Sequence, residues 1–496
     1  MVRSKKLIAF AATGALVFAA CGSDDDSSET ETTEATGETE TTEAMEEEGG
    51  DETETTEAME EEVGDETETT EAMEEDEAME EDEGDAAAGG AAFAVDTSLC
   101  EDPDTATAPI EGSIKIGASI PLSGGPAVLF APVADGQQAY IDYYNAEFGG
   151  VNGQELELTV KDDQYTAELT VANIDEFVFD EEVDIIAGVI GTANNLAIQD
   201  DLNAQCIPQL ANLSGEANWG NVEEYPWTTG LLVPYEVETR LWAEQAAADG
   251  ATTAGLFYVN TEFGQAYANT FEEAAAANGI EIIATETIEN GDSGAPSGQI
   301  TNLVEADPDT ILAVPLGAQC IAFKTEIGNQ KAANADFDAT IYETATCANA
   351  IFYASVTNGG ADGVFTSNNL KDVNNPDVAA NDPGAIAYLE AFAATGSEAA
   401  PGGLAGAGWE SMAVTVAAIQ EAADAGNLSR EGIINAARNA NFATGLLIDG
   451  VTYVMNADDG YLAEGTELRV WSDDIGGFVV ASDPIDYNGS LGTFSE

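Results

Sequence analysis

Short apolar runs alternate with amphipathic segments from residue 113 onward. The run SIKIGASI at 113–120 predicts a strand, and Val133, Tyr140, Ile141 and Tyr144 then recur at helical spacing. The apolar run VDIIAGVI at 183–190 is typical of a parallel strand that is covered on both faces. The resulting βαβαβαβ order predicts a doubly wound α/β sheet.

The same alternation begins again after YPWTTG at 225–230. Helical segments separate four further predicted strands, which are TAGLFYVN at 253–260, IEIIATETI at 280–288, DTILAVPLG at 309–317 and DATIYETA at 338–345. Two such units exceed what a single core usually holds, so we expect two lobes. Ligands of open α/β sheets lie beyond the carboxyl ends of the strands, and two facing sheets turn that place into a cleft.

The N-terminal region has a different character. Arg3, Lys5 and Lys6 precede an apolar stretch at 7–20 that is too short to span a bilayer, which predicts an export signal over 1–20. The residues before Cys21 resemble the bacterial lipoprotein box, which implies cleavage before this cysteine and a lipid anchor on it. The alternative is an ordinary export signal beside a chance cysteine.

An acidic repeat follows Cys21. ETETTEAMEEE occurs at 38–48 and 52–62, and ETETTEAMEED at 66–76; residues 22–85 hold 32 Asp and Glu and no Lys or Arg. Such a composition cannot offset its ordering entropy by burying apolar surface, so we expect 21–112 to be a lipidated cysteine followed by a disordered stalk and linker. A cation-binding tail is the alternative, but no ligand spacing defines a metal site.

Composition excludes several functions. The chain carries 94 acidic and 12 basic residues, a net charge of −82; 32 of the acids lie in residues 22–85, and the rest of the chain is still acidic enough for its surface to repel nucleic acid. It has no histidine, which removes the commonest general base and metal ligand. We therefore expect no nucleic-acid partner, no metal, no cofactor and no catalysis. Four cysteines after Cys21 suggest two disulfides, with three possible connectivities.

Several motifs in order resemble the branched-chain amino acid binding proteins of ABC importers. They are IKIGASIPLSGGPAVLFAPV at 114–133, VIGTANNLAIQDD at 189–201, ANLSG at 211–215, YPWTTG at 225–230 and NTEFGQAY at 260–267. The resemblance implies the type I periplasmic binding protein fold, with two doubly wound α/β lobes joined by three hinge crossings around a ligand cleft. Lobe 1 would comprise 113–229 and 367–446, and lobe 2 would comprise 233–362 and 450–490. On this division we favour the pairs Cys100–Cys206 and Cys320–Cys347.

The resemblance also assigns ligand contacts by position. Thr192, Asn194 and Ser214 match lobe 1 loops that bind a carboxylate through hydroxyls and helix N–H groups. Phe263 matches an aromatic residue over the aliphatic part of the ligand, Glu343 an acid that pairs with the ammonium, and Phe130 is a further aromatic candidate. Each has a plainer alternative: a helix cap or turn for the first three, core packing for the aromatic residues and an exposed acid for Glu343.

The function implied by the resemblance is solute capture. A monomer anchored through lipid on the outer face of the cytoplasmic membrane would bind a branched-chain amino acid by lobe closure and present it to ABC permease subunits. Short amides, urea and aromatic acids are alternative ligands. A ligand sensor for a signalling receptor is an alternative role that the sequence does not separate from transport.

Overall fold

The computed structural model describes residues 90–124, 127–292 and 294–494. The expected export signal, Cys21 and the acidic repeat lie outside these residues. Within the described ranges, no helix is both long enough and apolar enough to cross a membrane.

Two groups of elements follow one another along the chain. The strands are β1 (Ile114–Ile120), β2 (Leu156–Asp162), β3 (Ile185–Ala187), β4 (Gln209–Asn212), β5 (Thr228–Gly230), β6 (Thr253–Val259), β7 (Glu281–Ile288), β8 (Thr310–Val314), β9 (Thr340–Glu343), β10 (Phe365–Asn368), β11 (Asn441–Phe442), β12 (Tyr453–Val454), β13 (Gly465–Ser472), β14 (Gly477–Val480) and β15 (Ile485–Asp486). The α-helices are α1 (Pro103–Thr107), α2 (Ala127–Phe148), α3 (Ala167–Glu176), α4 (Thr192–Ala204), α5 (Tyr235–Ala248), α6 (Glu262–Ala277), α7 (Ser297–Ala306), α8 (Ala318–Ala333), α9 (Ala350–Ala354), α10 (Pro376–Asn381), α11 (Pro383–Ala394), α12 (Leu404–Asp424) and α13 (Arg430–Ala437).

The first sheet forms the centre of lobe 1. Its five strands are all parallel, in the order β2-β1-β3-β4-β5. Ile186 and Val189 pack with Ile198 and other apolar side chains of α3 and α4, whereas Ile185 belongs to the main core on the other side. The uninterrupted apolar character of this strand therefore comes from burial of both faces.

The second sheet forms the centre of lobe 2. Its order is β14-β13-β10-β9-β8-β6-β7, and β15 pairs with β13. The five strands β6, β7, β8, β9 and β10 are parallel to one another. The strand β13 runs antiparallel to its neighbours β10 and β14. Two α/β lobes with parallel sheets confirm the fold class expected from the sequence.

Two of the three crossings differ in position from the sequence-based boundaries. The strand β10 hydrogen-bonds with β9 and β13, so Ser367 and Asn368 belong to lobe 2 and the chain crosses after them. The segment from 450 to 461 stays with lobe 1, because β12 pairs with β11 and the Tyr461 hydroxyl donates to the Ala217 carbonyl at 2.8 Å. The third crossing therefore lies between Tyr461 and β13.

The end of the expected linker is part of lobe 1. The backbone N–H groups of Phe93 and Val95 donate to the side-chain oxygens of Asn439 and Asn435, each at 2.8 Å. Ala106, in α1, is fully buried. Residues 90–112 are thus a structured extension of the lobe, which corrects the expectation that the linker reaches residue 112.

One disulfide lies in each lobe. Cys100 is bonded to Cys206, which ties the N-terminal extension to the turn after α4. Cys320 is bonded to Cys347, which joins α8 to the turn after β9. This is the connectivity that the division into lobes favoured.

Candidate ligand-binding site

A cavity of about 160 Å³ lies between the two lobes. Its lining includes residues that follow strands of both sheets, namely Thr192 after β3, Leu213 after β4, Leu316 after β8, Ala345 after β9 and Asn369 after β10. The cavity therefore lies at the carboxyl ends of the parallel strands, where the topology of open α/β sheets places ligands.

Three hydroxyl groups meet at the wall of the cavity between the lobes, with Ser214 directly behind the lining, and we call Thr192, Ser214 and Tyr235 the hydroxyl cluster. The Thr192 Oγ1 atom lies 2.9 Å from Ser214 Oγ and 3.1 Å from the Tyr235 hydroxyl, and Ser214 Oγ lies 3.2 Å from the same tyrosine. Thr192 begins α4 and Tyr235 begins α5, directly after the first crossing. The cluster consequently joins an anchor in lobe 1 to the first helix of lobe 2.

Burial fixes the protonation of the cluster. Burial raises the pKa of Tyr235 to about 12, against smaller opposing effects from its hydrogen bonds with Ser214 and Thr192. The phenol therefore keeps its proton at neutral pH, and the cluster contains three O–H donors. Thr192 and Tyr235 line the cavity and can turn their O–H groups towards an anionic oxygen, whereas Ser214 lies behind them and hydrogen-bonds with both.

The first turn of α4 adds backbone donors beside the cluster. Gly191 precedes this helix, and within the described residues no side chain caps it. Gly191 has φ +101°, and a Cβ at this position would lie only 3.0 Å from the Tyr165 ring, so glycine is required here. Gly191 and Thr192 both line the cavity, which leaves N–H groups of the first helical turn available at its wall.

Aromatic rings form much of the remaining wall. In lobe 1 the ring of Phe130 stacks on Tyr165, with centroids 5.5 Å apart. In lobe 2 Tyr235 stacks on Tyr267 at 4.1 Å, and Phe263 packs edge-on against Tyr267 at 5.4 Å. All five rings line the cavity. These rings provide the shape and the dehydrated surface that an apolar ligand group needs.

The charged groups of the lining already have partners. Glu238 is buried and accepts hydrogen bonds from the hydroxyls of Tyr267 and Ser367, and burial raises its pKa to about 7. Arg469 donates from Nε to Glu467 at 2.8 Å and from Nη2 to the Leu370 carbonyl at 2.6 Å. The hydrogen bonds of Glu238 connect α5 with α6 and β10 beside the cavity. The bond from Arg469 to Leu370 connects β13 with the crossing after β10.

The structure places the sequence-derived candidates at three depths. Phe130, Thr192 and Phe263 line the cavity. Ser214 is buried directly behind the lining and is connected to it through Thr192 and Tyr235. Asn194 faces away, since its Nδ2 donates to Thr170 Oγ1 at 2.7 Å inside lobe 1.

Glu343 does not reach the cavity. Its two carboxylate oxygens lie 2.7 and 2.6 Å from Nζ of Lys324, and both side chains are 0% exposed. The sequence-based pairing of this acid with a ligand ammonium is therefore corrected, because α8 brings a lysine against it inside lobe 2.

The residues of the lining that the sequence analysis did not identify include Tyr165, Tyr235, Glu238 and Tyr267. A usable signal existed for two of them. Tyr235 and Glu238 are three residues apart at the start of a helix that follows a crossing, so they share one helical face at the hinge. The positions of Tyr165 and Tyr267 at the cavity depend on contacts between distant segments, so the local sequence does not indicate them.

Two α/β lobes, connected by three crossings and separated by a cavity that both of them line, define a hinged solute-binding protein. Residues 113–466 match the family model described as periplasmic binding protein, and the chain belongs to this family. The family is extracytoplasmic and its members bind solutes. A search of curated proteins finds no match.

Solved structures share the fold at low sequence identity. A fatty acid ABC transporter substrate-binding protein from Thermomonospora curvata has a TM-score of 0.65 at 19% identity, covering 77% of this chain and 96% of that one. The leucine binding protein LivK from Thermotoga maritima has a TM-score of 0.62 at 18% identity, covering 75% and 99%. A solute binding protein from Rhodopseudomonas palustris, in complex with benzoate, has a TM-score of 0.63 at 17% identity, covering 76% and 98%.

Proposed function

We propose that this protein is the solute receptor of an ABC importer and that it captures a small carboxylate with an apolar body. The branched-chain amino acid expected from the sequence belongs to this class. The solutes named for the three solved proteins, a fatty acid, leucine and benzoate, are also carboxylates with an apolar part. No bond of the solute is changed during capture.

The observation that carries the proposal is the hydroxyl cluster at the start of α4. Thr192, Ser214 and Tyr235 place three O–H donors within 3.2 Å of one another beside an uncapped helix N-terminus. Hydroxyls and helix N–H groups together favour a carboxylate over a neutral or cationic group. Beside the cluster, the rings of Phe263 and Tyr267 line the same cavity and supply apolar contact.

Capture depends on the lobes moving relative to one another. Thr192 is fixed to lobe 1, whereas Phe263 and Tyr267 are carried by α6 of lobe 2. A solute that contacts both sides gains interactions only when the lobes are together, so it shifts the equilibrium towards the closed form. The importer would read that closed form.

We further propose that Cys21 carries a lipid anchor and that the acidic repeat is a solvated spacer between membrane and lobes. Like charges extend such a segment. Deleting 22–85 and measuring solute uptake by whole cells tests the spacer. Uptake should fall while ligand binding by the purified protein is unchanged; unaltered uptake would contradict a spacer role.

The alternatives differ in ligand or in partner. Short amides and urea lack the anionic group that the hydroxyl cluster favours, whereas aromatic acids retain it. A signalling sensor would use the same cavity, and loss of uptake after deletion of the gene distinguishes an importer component from a sensor.

A thermal-shift panel of carboxylates, amino acids and amides at high salt tests the proposed capture. Ligand at 100 times its dissociation constant raises stability by about 2.7 kcal/mol through mass action. At least one carboxylate should raise the melting temperature, and Thr192→Ala should remove that shift. Stabilisation by amides alone, or by no member, would contradict the proposal.

A further inference from the structure

We propose that the solute of this protein carries no ammonium group, and that it is a simple apolar carboxylic acid rather than an α-amino acid. This inference rests on the proposed capture of carboxylates and names the substrate class within it. It follows from how the acidic side chains around the cavity are used.

The acid that the resemblance assigns to an ammonium is neutralised inside lobe 2. Lys324 holds both oxygens of Glu343 at 2.6 and 2.7 Å, and its Nζ also lies 4.1 Å from the ring centroid of Tyr353. Neither Lys324 nor Glu343 lines the cavity. A carboxylate already paired with a buried cation offers little attraction to a second one, so this position gives no ammonium site.

Two acids line the cavity among the described residues. Glu238 is 3% exposed, and each of its oxygens already accepts a hydrogen bond, one from Tyr267 and one from Ser367. Asp372 is half-buried at the rim, and its Oδ1 accepts the backbone N–H of Asn374 at 3.0 Å. The carboxylate of Glu238 is therefore engaged with two hydroxyls of the protein, and solvent screens the half-buried Asp372.

The remaining lining suits a ligand with one charged end. The hydroxyl cluster and the start of α4 provide donors for a carboxylate, and donors repel an ammonium placed next to it. The rest of the lining combines apolar or aromatic side chains such as Leu213 and Phe263 with neutral asparagine amides and the cations Lys371 and Arg469, and none of these carries a negative charge that would pair with an ammonium. Burying an unpaired ammonium among such groups is costly, whereas an apolar body gains from the same burial.

Matched ligand pairs that differ only by the amine test the inference. We would titrate the full chain calorimetrically with 4-methylpentanoate against L-leucine, and with phenylacetate against L-phenylalanine. In at least one pair the amine-free acid should bind at least about tenfold more tightly, a ratio that corresponds to 1.4 kcal/mol. Equal or tighter binding of the amino acid in both pairs overturns the inference and leaves carboxylate capture standing. Failure of all carboxylates and amino acids, including the broader thermal-shift panel, overturns both.

Two variants test whether an acid of the lining interacts with the amine of a ligand. Glu238→Gln and Asp372→Asn each remove one acid of the lining while keeping its shape. The ratio of the two affinities in a pair should change by less than about threefold in either variant, since no ammonium depends on these acids. A tenfold loss confined to the amino acid in either variant would overturn the inference. Circular dichroism and melting curves establish that both variants are folded.

Discussion

Lys324 and Glu343 neutralise each other in the interior of lobe 2, with Nζ 2.6 and 2.7 Å from the two carboxylate oxygens and both side chains fully buried. Lys324 lies on α8, and Glu343 ends β9. The pair spans the helix and the sheet on which it packs. It also withdraws from the cavity the acid that the family resemblance places there.

Removing one member of this pair should lower the free energy of unfolding far more than removing both. Lys324→Met leaves a buried carboxylate without its cation and should lower the free energy of unfolding by about 3–5 kcal/mol. The double variant Lys324→Met, Glu343→Leu should recover most of that loss, because an apolar pair needs no charge compensation. Urea unfolding measures both.

Lys331→Met is the matched control for this pair, since Lys331 lies on the same helix and donates only to the Asp362 carbonyl at 3.4 Å near the surface. Its cost should stay below about 1 kcal/mol. A Lys324→Met variant as stable as this control would show that the buried pair is unimportant for stability.

Tyr235→Phe isolates the hydroxyl that connects Thr192 and Ser214. The ring and its stacking on Tyr267 remain, but one of the three donors is lost, so binding of a carboxylate should weaken by about tenfold, or 1–1.5 kcal/mol. Titration calorimetry with the tightest carboxylate of the panel measures the change.

Tyr487→Phe provides the comparison for this tyrosine. Its hydroxyl donates to Glu244 at 3.0 Å, and the residue does not line the cavity. Binding should be unchanged in this variant. Equal losses of carboxylate affinity in Tyr235→Phe and Tyr487→Phe would mean that the effect is general and that Tyr235 has no direct part in carboxylate recognition.

Stability should fall as the pH rises from about 4.5 to about 7. Glu410 is 1% exposed and accepts hydrogen bonds from the hydroxyls of Thr444 and Tyr453, and burial raises its pKa to about 7. The folded protein therefore holds the proton of Glu410 more tightly than the unfolded chain does. This stabilisation is fully present below the pKa of the unfolded chain and is lost as the pH rises through the pKa of the folded protein. The contribution is about 3 kcal/mol.

Glu410→Gln replaces this acid with a neutral analogue whose oxygen still accepts from both hydroxyls. The difference in unfolding free energy between pH 5 and pH 7.5 should shrink by about 2–3 kcal/mol relative to the parent protein. Glu421→Gln, an exposed position on the same helix, should leave the difference unchanged. An undiminished pH dependence in Glu410→Gln would contradict the assignment.

The two disulfides should differ in their contribution to stability. Cys100 and Cys206 are 106 residues apart, and Cys320 and Cys347 are 27 apart. In the chain-entropy model the longer loop contributes about 5 kcal/mol and the shorter about 3.5 kcal/mol. The Cys100→Ser, Cys206→Ser variant should unfold at lower urea than the corresponding variant of the other pair. It should also expose residues 90–112 to proteases, because it unfastens the extension from lobe 1; the reverse order would contradict this account.

Local periodicity was sufficient to predict the architecture. Each α/β unit has a sequence pattern that can be recognised within a few residues, as in the apolar strand at 183–190. The turns from strand to helix then indicate which residues lie at the cleft. Phe130, Thr192 and Phe263 are found at the cavity for this reason, since each lies near the start of a helix that follows a strand or crossing.

Contacts between distant segments could not be predicted in this way. The pairing of Glu343 with Lys324 depends on how α8 packs against β9, and the attachment of residues 450–461 to lobe 1 depends on the bond of Tyr461 to Ala217. Apolar and turn residues in the C-terminal segment suit either lobe. Residues 90–112 likewise become structured through two asparagine side chains more than 300 positions away, at Asn435 and Asn439.

The central claim is that one carboxylate solute binds between the lobes at the hydroxyl cluster and is buried there. Calorimetric titration of the full chain at several temperatures tests it most directly. We predict a single saturable site per chain and a negative heat-capacity change, because apolar surface leaves water on binding. Both should disappear in the Thr192→Ala, Ser214→Ala variant. Titrations that show no saturable heat with any carboxylate, or binding that survives this double substitution unchanged, would contradict the account.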